Sequence, residues 1–483
     1  MHESDGGDSP EAQDDSPANS DAAAQPTTPD PAPTTPDADA PAVPPDATRG
    51  VPARTGERLR VALFTDNYGP GHSGILYAVQ FLEGELLARG HECLVVAPAC
   101  EGPNPHAGKL GRREYRLPSI RIPGVPARLA SGRGFEKAIK AIAADPPDVI
   151  HVHGLGSVGL LGYWAAKRCG VPLLVTWHTD FEAYADHYAQ LTPFLDAWVR
   201  LLKLNVEGRD TVRETLQGLR ASIRHPRGMS RRALLNAAAE MLRSATLVTT
   251  PSDKTAHRVK EIAPDARVRV SPNGADALPP GTPLPPASGP RIAYIGRIAP
   301  EKGIPLLLDA FSWVREEIPN AELLIVGDWT TSPVLRQRLA AARRRGGVTL
   351  VGQIDRDALE PYYESADVFA FPSLTDTQAL VLHEAAHAGL PIVSVDAELG
   401  LVIDPGVNGL FARPTPEAFA RALVAMLRRL EGPEFRARAQ ARSREMASWW
   451  TIRNQGAEMI GFYADLAAGR EVAESMHAIP PTA

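Results

Sequence analysis

Two acidic residues eight positions apart, Asp376 and Glu384, are the strongest candidates for chemistry in this 483-residue sequence. In the segment 371–391, Asp376 falls in a polar loop after a short apolar run, and Glu384 falls inside the helical pattern that follows. Backbone N–H groups at a helix start bind phosphates and sugar hydroxyls. Glu384 lies among apolar residues and therefore needs polar partners. The residues predicted to supply these backbone N–H groups are Thr377, Gln378 and Ala379.

A pair of cations occupies a second predicted strand-to-helix loop. Arg297 and Lys302 stand five positions apart, within Gly296-Arg297 and Glu301-Lys302-Gly303. Two such cations neutralise a diphosphate without a metal, and a guanidinium binds phosphate oxygens in a bidentate manner. Ordinary surface charges remain the alternative explanation.

A histidine and a glycine-rich loop follow two further predicted strands. His178 opens the segment His178-Thr-Asp-Phe-Glu-Ala-Tyr184, at a strand exit where parallel sheets form ligand clefts. The loop Gly69-Pro-Gly-His-Ser-Gly74 permits close approach of a ligand before a helix, although its spacing differs from the dinucleotide-binding fingerprint. A structural histidine and a plain surface turn remain the alternatives.

Elements that would position these residues alternate between short buried strands and helices. Such alternation indicates parallel sheets covered on both faces, arranged as two doubly wound α/β domains. The predicted strands are 59–66, 92–97, 148–153, 171–177, 246–250, 291–295, 322–326, 348–351, 367–371 and 391–395. The predicted helices are 75–89, 157–169, 303–317, 333–344, 357–364, 379–389 and 453–468.

The Pro/Gly-rich stretch 279–290 is the natural hinge between the two Rossmann-like domains. We assign residues 56–278 plus 455–475 to an N-terminal domain and residues 279–454 to a C-terminal domain.

The first 55 residues differ in composition from the rest of the chain. They contain 11 prolines, 11 acidic residues and two basic residues, so they carry a charge of −9 in a chain of −6. A segment with so few large apolar residues does not offset its ordering entropy, and we predict a disordered acidic tail. It lacks the features of a secretory signal. The remainder, near +3, gives no indication of nucleic-acid binding.

Composition also favours a cytoplasmic protein. Cys93, Cys100 and Cys169 lack metal-ligand spacing and are expected to be reduced thiols. No run of 18 apolar residues occurs. A predicted helical insert at about 196–243 holds nine basic and three acidic residues between positions 198 and 232. This insert is either a solvated surface or a peripheral contact with an anionic membrane at the inner face.

Together these motifs resemble the retaining family 4 glycosyltransferases of the GT-B fold, the glycosyltransferase group 1 type. The resemblance runs from about Arg58 to the C-terminus, outside the insert. It rests on motifs in the expected order, namely Gly69–Gly74, Asp148–His153, His178-Thr-Asp, Val270-Ser-Pro-Asn-Gly274, Gly296–Lys302, Ile325-Val-Gly327 and the acid-x7-acid segment.

By this resemblance, the chain is a retaining hexosyltransferase that uses a nucleoside-diphosphate sugar and needs no metal or other cofactor. Its acceptor would be a small molecule, a glycan or a lipid, and the His-Thr-Asp-Phe segment and Thr-Gln pair resemble enzymes that glycosylate diacylglycerol or phosphoinositides. The implied catalytic residues are His178 and Asp376. The implied diphosphate-binding residues are Arg297, Lys302, Gly71, Thr377, Gln378 and Ala379, with Glu384 on the donor ribose. The implied acceptor-side residues are Gly74, Asp180 and Tyr184.

The sequence departs from the family at two positions. Asp376 stands where the family usually has Glu, and Ala379 where it usually has Gly. A sugar epimerase or phosphorylase on the same fold, or a catalytically silent scaffold, remain the alternatives.

Overall fold

The computed structural model describes residues 58–69, 73–100, 104–121, 128–130, 134–154, 156–178, 235–236, 238–329 and 332–472. The predicted acidic tail and most of the insert at 196–243 lie outside these residues. So do Gly71, Asp180 and Tyr184, three of the predicted site residues.

A parallel sheet forms the first half of the described chain. Its strands are ordered β3-β2-β1-β6-β7-β8-β9. A short antiparallel pair, β4 (Ser119–Arg121) and β5 (Arg128–Ala130), lies apart from it. The strands of the sheet are β1 (Arg60–Thr65), β2 (Glu92–Pro98), β3 (Arg112–Leu117), β6 (Val149–His153), β7 (Leu173–Thr176), β8 (Leu247–Thr250) and β9 (Val268–Val270).

Helices cover both faces of this sheet. Strand β1 is buried on both sides, with Leu63 in one apolar cluster and Phe64 in the other, as expected for a parallel strand between helices. The last helix of the chain returns to the first of these clusters, where its Tyr463 is buried. The helices are α1 (Gly74–Ala88), α2 (Phe135–Ala144), α3 (Ser157–Cys169), α4 (Asp253–Ile262) and the C-terminal α11 (Ile452–Ala467).

A second parallel sheet has the order β12-β11-β10-β13-β14-β15. Tyr294 and Ile295 of its strand β10 again face opposite apolar clusters. The strands are β10 (Arg291–Ile295), β11 (Glu322–Val326), β12 (Val348–Gly352), β13 (Val368–Phe371), β14 (Ile392–Ser394) and β15 (Gly409–Phe411). The helices are α5 (Ile304–Glu317), α6 (Pro333–Arg345), α7 (Glu360–Glu364), α8 (Leu380–His387), α9 (Pro416–Arg429) and α10 (Pro433–Ser448).

Strand order reverses once in each sheet, and the reversal determines where ligands bind. In the first sheet β1 pairs with β6, and in the second β10 pairs with β13. Loops leaving two such neighbouring strands run in opposite directions and leave a crevice at their carboxyl ends. The two-sheet α/β architecture predicted from the sequence is therefore confirmed.

Sequence patterns missed or misplaced several elements. The edge strand β3 was not predicted, because the four charged residues among its six give no apolar alternation. The predicted helix 357–364 is wrong in part, since a 3₁₀ turn at Arg356–Ala358 is separate from α7, and Pro361 lies in the first turn of α7. Within the described residues, no helix is long and apolar enough to cross a membrane.

Candidate active site

Two loops of the second sheet meet at its topological switch point. The chain leaving β10 turns through the 3₁₀ helix Pro300–Lys302 to Gly303, whose φ is +71°. A Cβ at Gly303 would lie 2.0 Å from the carbonyl oxygen of Pro372, so only glycine permits this approach to the loop after β13. The contact brings Lys302 to Asp376, and the Lys302 ammonium forms an ion pair with the Asp376 carboxylate.

The electrostatics of Asp376 are set by this pair. Burial opposes ionisation of the carboxyl, but the Lys302 ammonium, together with a hydrogen bond from Ser373 and the charge of Arg297, outweighs burial and holds the pKa of Asp376 below its usual range. Asp376 is therefore an anion at neutral pH. Arg297 lies on the same side of the loop, where its guanidinium pairs with Glu301 at 2.6 Å. Both cations predicted at the diphosphate thus stand at the switch point, each beside a carboxylate.

Glu384 lies deeper, on the buried face of α8. Its side chain is 5% exposed, and its two oxygens have different partners. Oε1 accepts a hydrogen bond from Arg356 Nε at 2.8 Å, and Oε2 accepts one from the Tyr363 hydroxyl at 2.9 Å. The predicted need of Glu384 for polar partners is met by two residues that the sequence analysis did not single out.

The start of α8 differs from the predicted one. The helix begins at Leu380, and Ala379 at its N-cap has φ +65° and ψ +82°. Among the described residues, Ala379 alone combines a side chain with positive φ. This left-handed conformation costs an L-residue roughly 1–2 kcal/mol. Ala379 therefore occupies a position whose backbone conformation favours glycine.

The Gln378 side chain is engaged with the first half of the chain. Its amide pairs with Asn273 and is buried, and its Nε2 also lies 3.2 Å from His383 Nε2. Because the side-chain amide is bonded to Asn273, only the backbone of Gln378 is available to bind a phosphate.

His178 reaches the site from the other sheet, immediately beyond β7. Its carbonyl oxygen accepts a hydrogen bond from the Thr377 hydroxyl at 3.0 Å, which places the two predicted site segments in direct contact. Its Nε2 lies 3.0 Å from His153 Nδ1. Burial lowers the pKa of His178 to about 4, so the imidazole is neutral at pH 7.

A row of buried polar groups continues from His178 along the strand ends. His153 Nε2 is buried without a hydrogen-bond partner in the described chain. Its neighbour His151 contacts the Tyr463 hydroxyl of α11 and the Thr176 hydroxyl, each at 2.6 Å. Burial holds the pKa values of both histidines well below the usual range. The unpartnered nitrogen next to His178 is a candidate ligand contact that periodicity alone did not reveal.

Helix α1 faces α8 across the cleft. It begins at Gly74, and the Ser73 hydroxyl caps it by accepting a hydrogen bond from Leu76 N at 3.1 Å. A Cβ at Gly74 would lie 4.0 Å from Leu380 Cδ1, so the N-terminal ends of the two helices are adjacent. Two helix N-termini converging on one crevice form a favourable environment for an anion.

Two family descriptions match the sequence, and they cover most of the described chain. "Glycosyltransferase Family 4" matches residues 74–277, and "Glycosyl transferases group 1" matches residues 289–429. The boundary between the two matches falls at the connection between the two sheets.

Curated relatives are similar over most of their length. An alpha-monoglucosyldiacylglycerol synthase of Acholeplasma laidlawii is 26% identical over 74% of this chain and 86% of its own. A GDP-mannose-dependent alpha-mannosyltransferase of Mycolicibacterium smegmatis is 26% identical over 84% of this chain and 97% of its own. Among solved structures, sucrose-phosphate synthase from Thermosynechococcus elongatus superimposes with a TM-score of 0.62 at 21% identity, covering 85% of this chain and all of its own. That last likeness concerns the fold.

Proposed function

This chain belongs to glycosyltransferase family 4 of the GT-B fold and uses a nucleotide sugar, and we propose that it transfers a hexose, with retention of anomeric configuration, to a membrane lipid. The observation that carries the proposal is the Lys302–Asp376 pair at the switch point, on a loop whose Thr377 hydroxyl contacts the His178 backbone of the other sheet.

The cations supply the chemistry that sugar transfer needs most. Departure of a nucleoside diphosphate develops negative charge on phosphate oxygens, and preorganised cations stabilise that charge. Lys302 and Arg297 are held at the strand exits by Asp376 and Glu301, so they are in place before the donor arrives. The adjacent helix N-termini at Gly74 and Leu380 add partial positive charge to the same crevice.

Retention is proposed through a front-face route. Asp376 is the carboxylate at the switch point, and its ion pair with Lys302 makes it a poor nucleophile and a good acceptor for sugar hydroxyls. A neutral His178 can donate or accept a hydrogen bond to the transferred sugar, but it does not serve as a general acid at pH 7. The departing diphosphate is then the base that takes the proton of the incoming hydroxyl.

A lipid acceptor is supported by similarity to a lipid glycosyltransferase and by the positive charge of the segment at 196–243. The name of the Acholeplasma relative specifies a glucosyldiacylglycerol product, and this chain shares 26% of its residues over the matched length. The arginine-rich segment at 196–243, most of which lies outside the described residues, would provide peripheral contact with an anionic surface.

A donor panel tests the whole proposal. The protein is incubated with UDP- and GDP-hexoses and with vesicles that contain diacylglycerol or phosphatidylinositol, and released nucleotide and glycolipid are measured. We expect nucleotide release that depends on one lipid, with an α-linked product from an α-linked donor by NMR. A β-linked product would contradict retention, and nucleotide release at the same rate without vesicles would contradict a lipid acceptor, because water would then be the acceptor. Conversion of the free sugar without transfer would favour an epimerase.

A further inference from the structure

Arg356 joins the two halves of the cleft. It lies in the 3₁₀ turn after β12, and its side chain is 13% exposed. Its Nε donates to Glu384 Oε1, while its guanidinium carbon stands 4.9 Å from the Phe81 ring centroid and 5.5 Å from the Tyr77 ring centroid. One cation thus contacts a carboxylate of the second domain and two aromatic rings of the first.

On the second-domain side, Arg356 fixes the orientation of Glu384. The Tyr363 hydroxyl holds the other carboxylate oxygen, so both oxygens are tethered. A carboxylate has about four lone-pair sites, and the two tethers leave sites for two more donors. A ribose diol supplies two hydroxyl donors, so the tethered carboxylate is preorganised to receive one.

On the first-domain side, the rings belong to α1. Tyr77 and Phe81 are four residues apart, and their rings stack with centroids 6.1 Å apart. Placing a guanidinium over such rings is favourable, and more so when the cation is desolvated. Because α1 begins at Gly74, the rings tie Arg356 to the helix whose N-terminus faces the switch point.

One atom of Arg356 remains unused. Its Nη2 is buried and has no hydrogen-bond partner within the described residues. A buried N–H without a partner is costly unless a ligand or ordered water completes it. Arg356 Nη2 is therefore available, next to Glu384, to donate a hydrogen bond to a ligand.

We propose that Arg356 is a positioning residue for the nucleotide: it holds the Glu384 carboxylate toward the ribose and links it to the Tyr77–Phe81 pair of α1. Binding of the nucleoside diphosphate is then coupled, through the Arg356 side chain, to the contact between the two domains. This inference rests on the proposed donor site, and it adds a residue from outside the acid-x7-acid segment together with a cross-domain contact.

A double-mutant cycle on nucleotide affinity tests the link. UDP or GDP, whichever binds the unmodified protein more tightly, is titrated by calorimetry into Arg356→Gln, Phe81→Leu and the double variant. We expect Arg356→Gln to weaken Kd about tenfold and Phe81→Leu about fivefold. The double variant should weaken it only about tenfold, because the ring acts through the arginine.

Two further variants separate positioning from folding. Arg356→Lys keeps a cation near the rings and should recover part of the lost affinity, while Arg338→Gln removes an exposed arginine paired with Asp309 and should leave Kd unchanged. Additive effects of about fiftyfold in the double variant, or unchanged affinity in Arg356→Gln, would overturn the proposal. Tight nucleotide binding without sugar transfer would instead count against the proposed function and leave the role of Arg356 testable.

Discussion

The side-chain amide of Gln378 pairs with the backbone of Asn273 as a neighbouring strand would. Its Oε1 accepts from Asn273 N and its Nε2 donates to Asn273 O, both at 2.7 Å. Asn273 in turn contacts Gln455 Nε2 at 3.3 Å, beside the return of the chain into α11. A residue of the donor loop is thereby tied to the segment that connects the two sheets.

Removal of the Gln378 side-chain amide should destabilise both the loop after β13 and the segment that connects the two sheets. Gln378→Ala leaves the backbone N–H and C=O of Asn273 buried without partners, at a cost of about 1–3 kcal/mol for each group. We expect a fall in the free energy of unfolding, measured by urea titration, together with a lower kcat. Gln337→Ala, an exposed glutamine on α6, is the matched control and should change neither. An unaltered unfolding midpoint for Gln378→Ala would contradict the role given to this pair.

The left-handed Ala379 yields a second prediction. Ala379→Gly should leave stability unchanged or raise it by about 0.5 kcal/mol, because relief of the positive φ exceeds the lost methyl packing and the added chain entropy. Ala388→Gly is the comparison, since Ala388 packs against the same apolar cluster with φ −66°. Glycine there should cost about 0.5–1 kcal/mol. Equal losses in both variants, by thermal unfolding, would show that Ala379 is not strained.

The Lys302–Asp376 pair predicts a change in pH dependence. Lys302→Gln removes the cation that holds the pKa of Asp376 down, and burial then raises that pKa. In the unmodified protein the ion pair stabilises the fold at pH values above the ordinary aspartate pKa, and this stabilisation is lost as pH falls through the lowered pKa of Asp376. In the variant, Asp376 becomes protonated at a higher pH. The variant should therefore lose activity at mildly acidic pH, where the unmodified protein retains activity. An acidic limb of the kcat profile identical in both proteins would contradict the assignment.

Buried histidines predict acid sensitivity of the fold. Burial lowers the pKa of His178 to about 4, so between the unfolded value near 6.5 and about 4 the unfolded state binds the additional proton. Stability contributed by neutral His178 is complete above pH 6.5 and declines as pH falls, by about 1.4 kcal/mol per pH unit.

The slope of stability against pH measures this effect. His178→Gln should flatten the decline of unfolding free energy between pH 6.5 and 4, whereas His257→Gln, at an exposed position on α4, should not. A slope unchanged by His178→Gln would mean that the pKa of this imidazole is not lowered in the folded protein.

Sequence patterns predicted the architecture well because parallel strands buried on both faces have a strong apolar signature. The strands at 291–295 and 322–326 and the helix at 157–169 have the predicted bounds. The polar edge strand β3 escaped detection because it shows neither apolar alternation nor an apolar run.

Side-chain partnerships were harder to predict than the elements that carry them. The switch point explains why Lys302 and Asp376, 74 residues apart, meet, since both loops leave neighbouring strands. Arg356 gives no such signal, because a lone arginine in a turn resembles a surface charge. Its contacts with Glu384 and Phe81 depend on how the two domains come together, which no local pattern encodes.

A donor site built on Glu384 is tested by measuring nucleotide release from the donor panel by the unmodified protein, by Glu384→Gln and by Glu364→Gln, which changes an exposed glutamate on α7. We expect release from one nucleotide sugar by the unmodified protein and by Glu364→Gln. We expect a loss of roughly ten- to hundredfold in Glu384→Gln, because the amide no longer offers the ribose a charged acceptor. Release by Glu384→Gln at the unmodified rate would contradict a donor site built on this carboxylate.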